Sequence, residues 1–66
     1  MKDLQLEQNG SVDLIRPLTE KGRDWLETNV HYQGDWVDGG AALAIEPRYT
    51  VDILKEAYED GLGLNI

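Results

Sequence analysis

Five apolar residues in unbroken succession, Ala41-Ala42-Leu43-Ala44-Ile45, stand between Gly39-Gly40 on one side and Pro47 on the other. So short a run, closed at both ends by residues that interrupt regular structure, reads as a strand and not as a helix. It has no polar alternation, so neither face can be left to water. Such a strand belongs inside a sheet, with neighbours at its sides and cover above it. The segment 41–46 is therefore expected to be a buried central strand, and the rest of the chain has to supply its partners.

The first partners come from the N-terminus. Leu4 and Leu6 alternate with polar residues before Asn9-Gly10, and Val12 and Leu14 alternate after it. Alternation on both sides of Asn-Gly predicts a β-hairpin over 3–17. A two-residue loop at Asn9-Gly10 would pair Leu6 with Asp13 and mix polar with apolar on each face. A three-residue loop, Gln8-Asn9-Gly10, pairs Leu6 with Val12 and Leu4 with Leu14. It leaves Gln5, Glu7, Ser11 and Asp13 outside, and register is set by such sorting. Gly10 then takes the left-handed position.

Two helices follow. Thr19 is placed to cap a helix over 19–29, with Leu18, Gly22, Trp25, Leu26 and Asn29 or Val30 at helical spacing. Gly22 inside it costs up to about 1 kcal/mol relative to Ala, and a close approach to the sheet would account for it. Residues 31–40 read as a loop punctuated by Gly34, Gly39 and Gly40. Pro47 suits the first turn of a second helix, 47–60. Its apolar stripe is Val51, Leu54, Ala57, Tyr58 and Leu62, and Gly61 is its natural stop. Residues 62–66 form a short last strand. The whole is one domain, 1–66, of the α+β class: a small ββαβαβ unit whose mixed sheet carries two helices mainly on one face.

The chain has no cysteine, so neither a disulfide nor a thiolate metal site holds it together. A cytosolic setting is the expectation, since small secreted domains usually carry disulfides. No signal peptide is expected, since no apolar run follows a basic segment near the start, and no apolar stretch approaches membrane length. Thirteen acidic residues against six basic ones give a net charge of −7. That argues against nucleic acid and anionic membrane as direct ligands, because both are polyanions. It suits a basic partner, although the same charge also serves solubility.

Catalytic chemistry has no visible seat. Ser11 is the only serine and His31 the only histidine, and no spacing builds a triad or an oriented acid–base pair. The glycines lack the Gly-Lys-Ser/Thr ending of a phosphate loop. His31, Asp35 and Asp38 share one loop and offer an imidazole with hard oxygen ligands, but their spacing matches no metal-loop signature. No enzyme, cofactor or resident metal is expected. Trp25 lies on the apolar stripe and reads as core. Trp36, flanked by Asp35 and Asp38, reads either as the core's edge or as an apolar interface anchor. Arg48 and Tyr49 read as an inward ion pair or as packing at the sheet end.

The acids themselves are patterned. Glu20, Asp24 and Glu27 recur at i, i+4, i+7 in the first helix, and Asp52, Glu56 and Glu59 recur at the same spacing in the second. Residues four apart share a helix face at a rise of about 6 Å. Like charges so placed cost each helix about 0.2–0.5 kcal/mol per pair. Glu7 and Asp13 add charge on the outer hairpin face, and Asp35 and Asp38 on the loop. Duplex DNA carries a phosphate about every 3.4 Å along each strand. Arginine grips carboxylate and phosphate in the same two-pronged way, so the stripes form a sparse copy of a DNA backbone. Lys21, Arg23 and Lys55 interrupt that copy, and a plain polar helix face accounts for the acids equally.

The run LTEKGRDWLETNV, a Gly/Trp loop, ALAIEPRY and an acidic helix ending in DGL together resemble a family of short proteins. Bacteriophages and mobile elements of proteobacteria encode this family. The likeness spans Leu14 to Leu62, leaves the first strand outside, and carries no catalytic residue. In length and charge the chain is also similar to small anti-CRISPR proteins that inhibit type I systems, the type I-C kind among them. The resemblance implies a protein acting in the bacterial cytoplasm. It would bind Cascade, the RNA-guided surveillance complex, at the large subunit that reads the PAM and grips target DNA. The expected contact residues are then Glu20, Asp24, Glu27, Asp52, Glu56 and Glu59, with Asp35 and Asp38 next and Trp36 as apolar anchor. The alternative is a non-enzymatic interaction or assembly module of a phage or host complex, with binding centred on the apolar loop around Trp36. Monomer and homodimer both remain open, the latter by burial of an edge strand or of Trp36.

Overall fold

The computed structural model describes all 66 residues and places nine elements along them. They are β1 (Leu4–Asn9), β2 (Val12–Pro17), α1 (Glu20–Asn29), a 3-10 turn (His31–Gln33), β3 (Asp35–Val37), a second 3-10 turn (Asp38–Gly40), β4 (Ala42–Ile45), α2 (Pro47–Glu59) and β5 (Leu64–Asn65). The class is α+β. The strands form one mixed sheet in the order β3-β4-β2-β1-β5. β1, β4 and β5 run one way, β2 and β3 the other.

β4 sits between β3 and β2, and Ala42, Leu43 and Ile45 are completely buried, as an unbroken apolar run demands. One sheet face carries Leu4, Ile15, Leu43 and Ile45 against Leu26 and Val30 from the first helix region and Ile53, Leu54 and Ala57 from α2; Leu62 closes the cluster. Each fully buried Leu or Ile contributes about 1.5–3 kcal/mol. Both helices therefore lie on one face of the sheet.

The hairpin register differs from the expected one. The loop is Gly10-Ser11, with Asn9 opposite Val12, Leu6 opposite Ile15 and Leu4 opposite Pro17. Gly10 has φ +67°, so the left-handed glycine is where it was expected, at the first centre of a two-residue turn. The three-residue loop is wrong because β2 turns Asp13 and Ile15 inward and Leu14 to the opposite face. Asp13 is only 5% exposed, and its Oδ2 accepts from Thr50 Oγ1 at 2.8 Å. A hydrogen-bonded carboxylate is acceptable inside where a bare one is not. It therefore adds nothing to the outer charge.

α1 begins where Thr19 was placed as cap. Its Oγ1 accepts from the Gly22 amide at 3.1 Å and donates to Asp3 Oδ1 at 2.6 Å. Asp3 Oδ2 accepts from the Gly63 amide at 2.8 Å, so one buried carboxylate ties both ends of the chain to α1. Thr19 and Gly63 hold that carboxyl below its ordinary value of 3.8. Gly22 does allow close approach. A Cβ there would overlap the Asp3 carbonyl oxygen and stand 3.1 Å from Leu4 Cδ2.

α2 ends in a Schellman motif. Gly61, at φ +90°, donates to the Tyr58 carbonyl, and Leu62 donates to that of Ala57, each at 3.0 Å. Its buried side is Thr50, Ile53, Leu54 and Ala57. The expected stripe is thus rotated: Val51 and Tyr58 are 74% and 72% exposed, because Thr50 and Ile53 take the inward positions to meet Asp13 and the sheet. The expected loop over 31–40 is replaced in part by β3 and the two 3-10 turns. No helix is long and apolar enough to cross a membrane.

Candidate protein-binding surface

The structure sorts the thirteen acids into three groups. Asp3 and Asp13 are buried and hydrogen-bonded. Glu7, Glu27, Asp38 and Glu46 are committed to ion pairs. Seven remain exposed with no ion-pair partner: Glu20, Asp24, Asp35, Asp52, Glu56, Glu59 and Asp60. Six of these belong to the stripes and loop singled out in the sequence. Asp60 was missed, and it accepts from Trp25 Nε1 at 2.8 Å.

On α1, Glu20, Asp24 and Glu27 share the face opposite the buried Gly22 and Leu26, as residues at i, i+4, i+7 must. Arg23 reaches Glu27 at 3.6 Å and so partly neutralises one end of that stripe. On α2, Asp52, Glu56 and Glu59 lie outward, away from the buried side of Thr50, Ile53, Leu54 and Ala57. Lys55 shares this outer face, as does Arg48, which pairs with Glu46 at 3.1 Å and lies 4.8 Å over the Tyr49 ring. Of the two readings of Arg48, an inward ion pair or packing at the sheet end, the first is absent, because its pair with Glu46 is at the surface.

On the sheet face away from the helices Arg16 joins Glu7 and Asp38, with 3.0 Å to the latter. These two acids raise the guanidinium's hold on its proton and spend their own charge on it. Glu7 and Asp38 are thus less available to a partner than Asp35. Trp36 is half-buried on β3, packed on the core, with the Arg23 guanidinium 5.0 Å over its ring. It is the core's edge, capped by a cation that also donates to the Gly40 carbonyl at 2.6 Å. No three His, Asp or Glu side chains converge as metal ligands would, and His31 is exposed on its 3-10 turn.

One surface hollow was not foreseen. Tyr32 and Gln33 form one wall, and Tyr49, Asp52, Ile53 and Glu56 of α2 form the other wall and the floor. The α2 part follows i, i+3, i+4, i+7 spacing and was readable. Tyr32 was not, because its position depends on the 3-10 turn after α1. No protein-family model, curated protein or solved structure matches the chain.

Proposed function

We propose that this protein is a non-enzymatic inhibitor that binds a basic, DNA-gripping surface of a protein partner and keeps DNA from it. The observation that carries the reading is the set of seven exposed carboxylates without ion-pair partners. All but one occupy helix faces, the sheet edge or the loop named for contact. Unpaired exposed acids retain their charge for a partner's Lys and Arg. Those four apart on one helix also repel one another, at a cost of about 0.2–0.5 kcal/mol per pair.

The partner to test first is the type I Cascade complex, type I-C included, in the cytoplasm of a bacterial host. That choice rests on the sequence resemblance to small phage-encoded anti-CRISPR proteins. The mechanism is occlusion. Carboxylates of α1 and α2 pair with side chains shaped for phosphates, and no bond is made or broken. The experiment is a gel shift of purified type I-C Cascade with target duplex, with and without this protein, at two salt concentrations. Loss of the shifted band at low salt and its return at high salt is the expected result. An unaffected band with folded protein in excess rejects this partner.

A further inference from the structure

We infer that the groove between the His31–Gln33 turn and α2 seats an arginine side chain of a protein partner. This rests on the reading of a basic partner and gives it one definite point of contact. The groove is the one hollow in the surface. Its floor is Ile53, 3% exposed, and its walls are the Tyr32 and Tyr49 rings, 72% and 40% exposed. Asp52 and Glu56 stand at its rim, one helical turn apart and without ion-pair partners.

An aliphatic stem needs an apolar floor, a flat cation prefers an aromatic face, and a guanidinium needs paired oxygens. The groove offers all three within one site, the free aromatic face being that of Tyr32, since Arg48 already lies over Tyr49. The carboxylates of α1 lack such walls: Glu20 and Asp24 stand on an exposed face. The protein already uses the same chemistry internally. Arg48 lies 4.8 Å over Tyr49, and Arg23 lies 5.0 Å over Trp36. Tyr32 has no cation of its own. His31 meets it edge-on at 5.7 Å, and Gln33 Nε2 donates to its hydroxyl at 3.2 Å, which leaves a ring face turned to solvent. Arginine suits the site better than lysine, because a planar group can stack and make two parallel bonds at once.

The test is an amide-resolved NMR titration of the intact protein with acetyl-Gly-Arg-Gly-amide. Its citrulline counterpart, equal in shape and uncharged, is titrated alongside. Binding is expected to be weak, with shifts concentrated at residues 32, 33, 49, 52, 53 and 56. The citrulline peptide should bind about five- to tenfold more weakly, from loss of stacking and charge together. Tyr32→Ala and Glu56→Gln change exposed side chains and should each lower affinity about three- to fivefold while the remaining spectrum stays dispersed. Equal shifts at Glu20 and Asp24 would overturn the groove and leave the acidic-surface reading standing. No shift at all would also overturn it, and the Cascade competition decides the wider reading separately.

Discussion

Replacing Gly22 by alanine puts two physical effects in opposition, and the structure says which wins. Inside a helix, Gly→Ala gains up to about 1 kcal/mol in propensity. Here the new Cβ would overlap the backbone carbonyl of Asp3 and press on Leu4 Cδ2 at 3.1 Å. The obstacle is main chain, and the Asp3 oxygen already accepts from the Leu18 amide at 2.7 Å, so it cannot swing aside. Restoring an ordinary contact requires α1 and the start of β1 to separate by about 1 Å. That movement also disturbs the Thr19–Asp3–Gly63 hydrogen bonds. Overpacking of this kind costs about 1–3 kcal/mol, and loss of a helix cap about 1 kcal/mol more. Against the propensity gain, the net is a destabilisation of about 1–3 kcal/mol. The assay is urea unfolding followed by tryptophan fluorescence. With a slope near 1 kcal/mol/M, the midpoint should fall by about 1–3 M. A midpoint that stays or rises would refute the close approach of α1 to β1.

Other outcomes follow from the same contacts. Thr50→Val should lower stability by about 1–3 kcal/mol, because it strips the buried Asp13 carboxylate of its donor; urea unfolding measures it. Asp3 has a folded-state value below its ordinary 3.8. Its contribution is therefore complete above that value and is lost as pH falls through the lower folded one. Melting temperature should drop more steeply below about pH 4 in the native protein than in Asp3→Asn. Trp36→Ala should destabilise by about 1–3 kcal/mol, less than for a fully buried aromatic. If its role is the core's edge, partner inhibition should survive the change once the folded fraction is taken into account.

The sequence was most legible where one residue type admits one geometry. Thr19 as cap, Gly61 as helix stop, Gly10 with positive φ and the Ala42–Ile45 strand all follow from local chemistry. Legibility failed where a polar residue was satisfied from afar. Asp13 looks like an outward residue until Thr50, 37 positions later, gives it a hydrogen bond. With Asp13 satisfied there, β2 can turn fully buried Ile15 inward, and α2 presents Thr50 and Ile53 to the sheet in place of Val51 and Tyr58. β3 was hidden because three residues, Asp35–Val37, carry too little alternation to stand out. The acidic stripes could be read from spacing alone. The Arg23–Glu27 pair was readable from the same i,i+4 spacing, but the hold of Arg16 on Glu7 and Asp38 was not, since those partners meet only in the folded chain.

The central claim is that unpaired exposed carboxylates keep DNA from a basic partner. The most direct test compares the protein with two charge-reversed variants, Glu20→Lys/Asp24→Lys and Asp52→Lys/Glu56→Lys/Glu59→Lys, in the Cascade–duplex gel shift. Circular dichroism first establishes that each variant is folded. The account predicts that at least one reversal abolishes inhibition, and that the native protein's inhibition fades as salt shortens the screening length from about 10 Å toward 3 Å. Full inhibition by both folded variants, unchanged by salt, would contradict it.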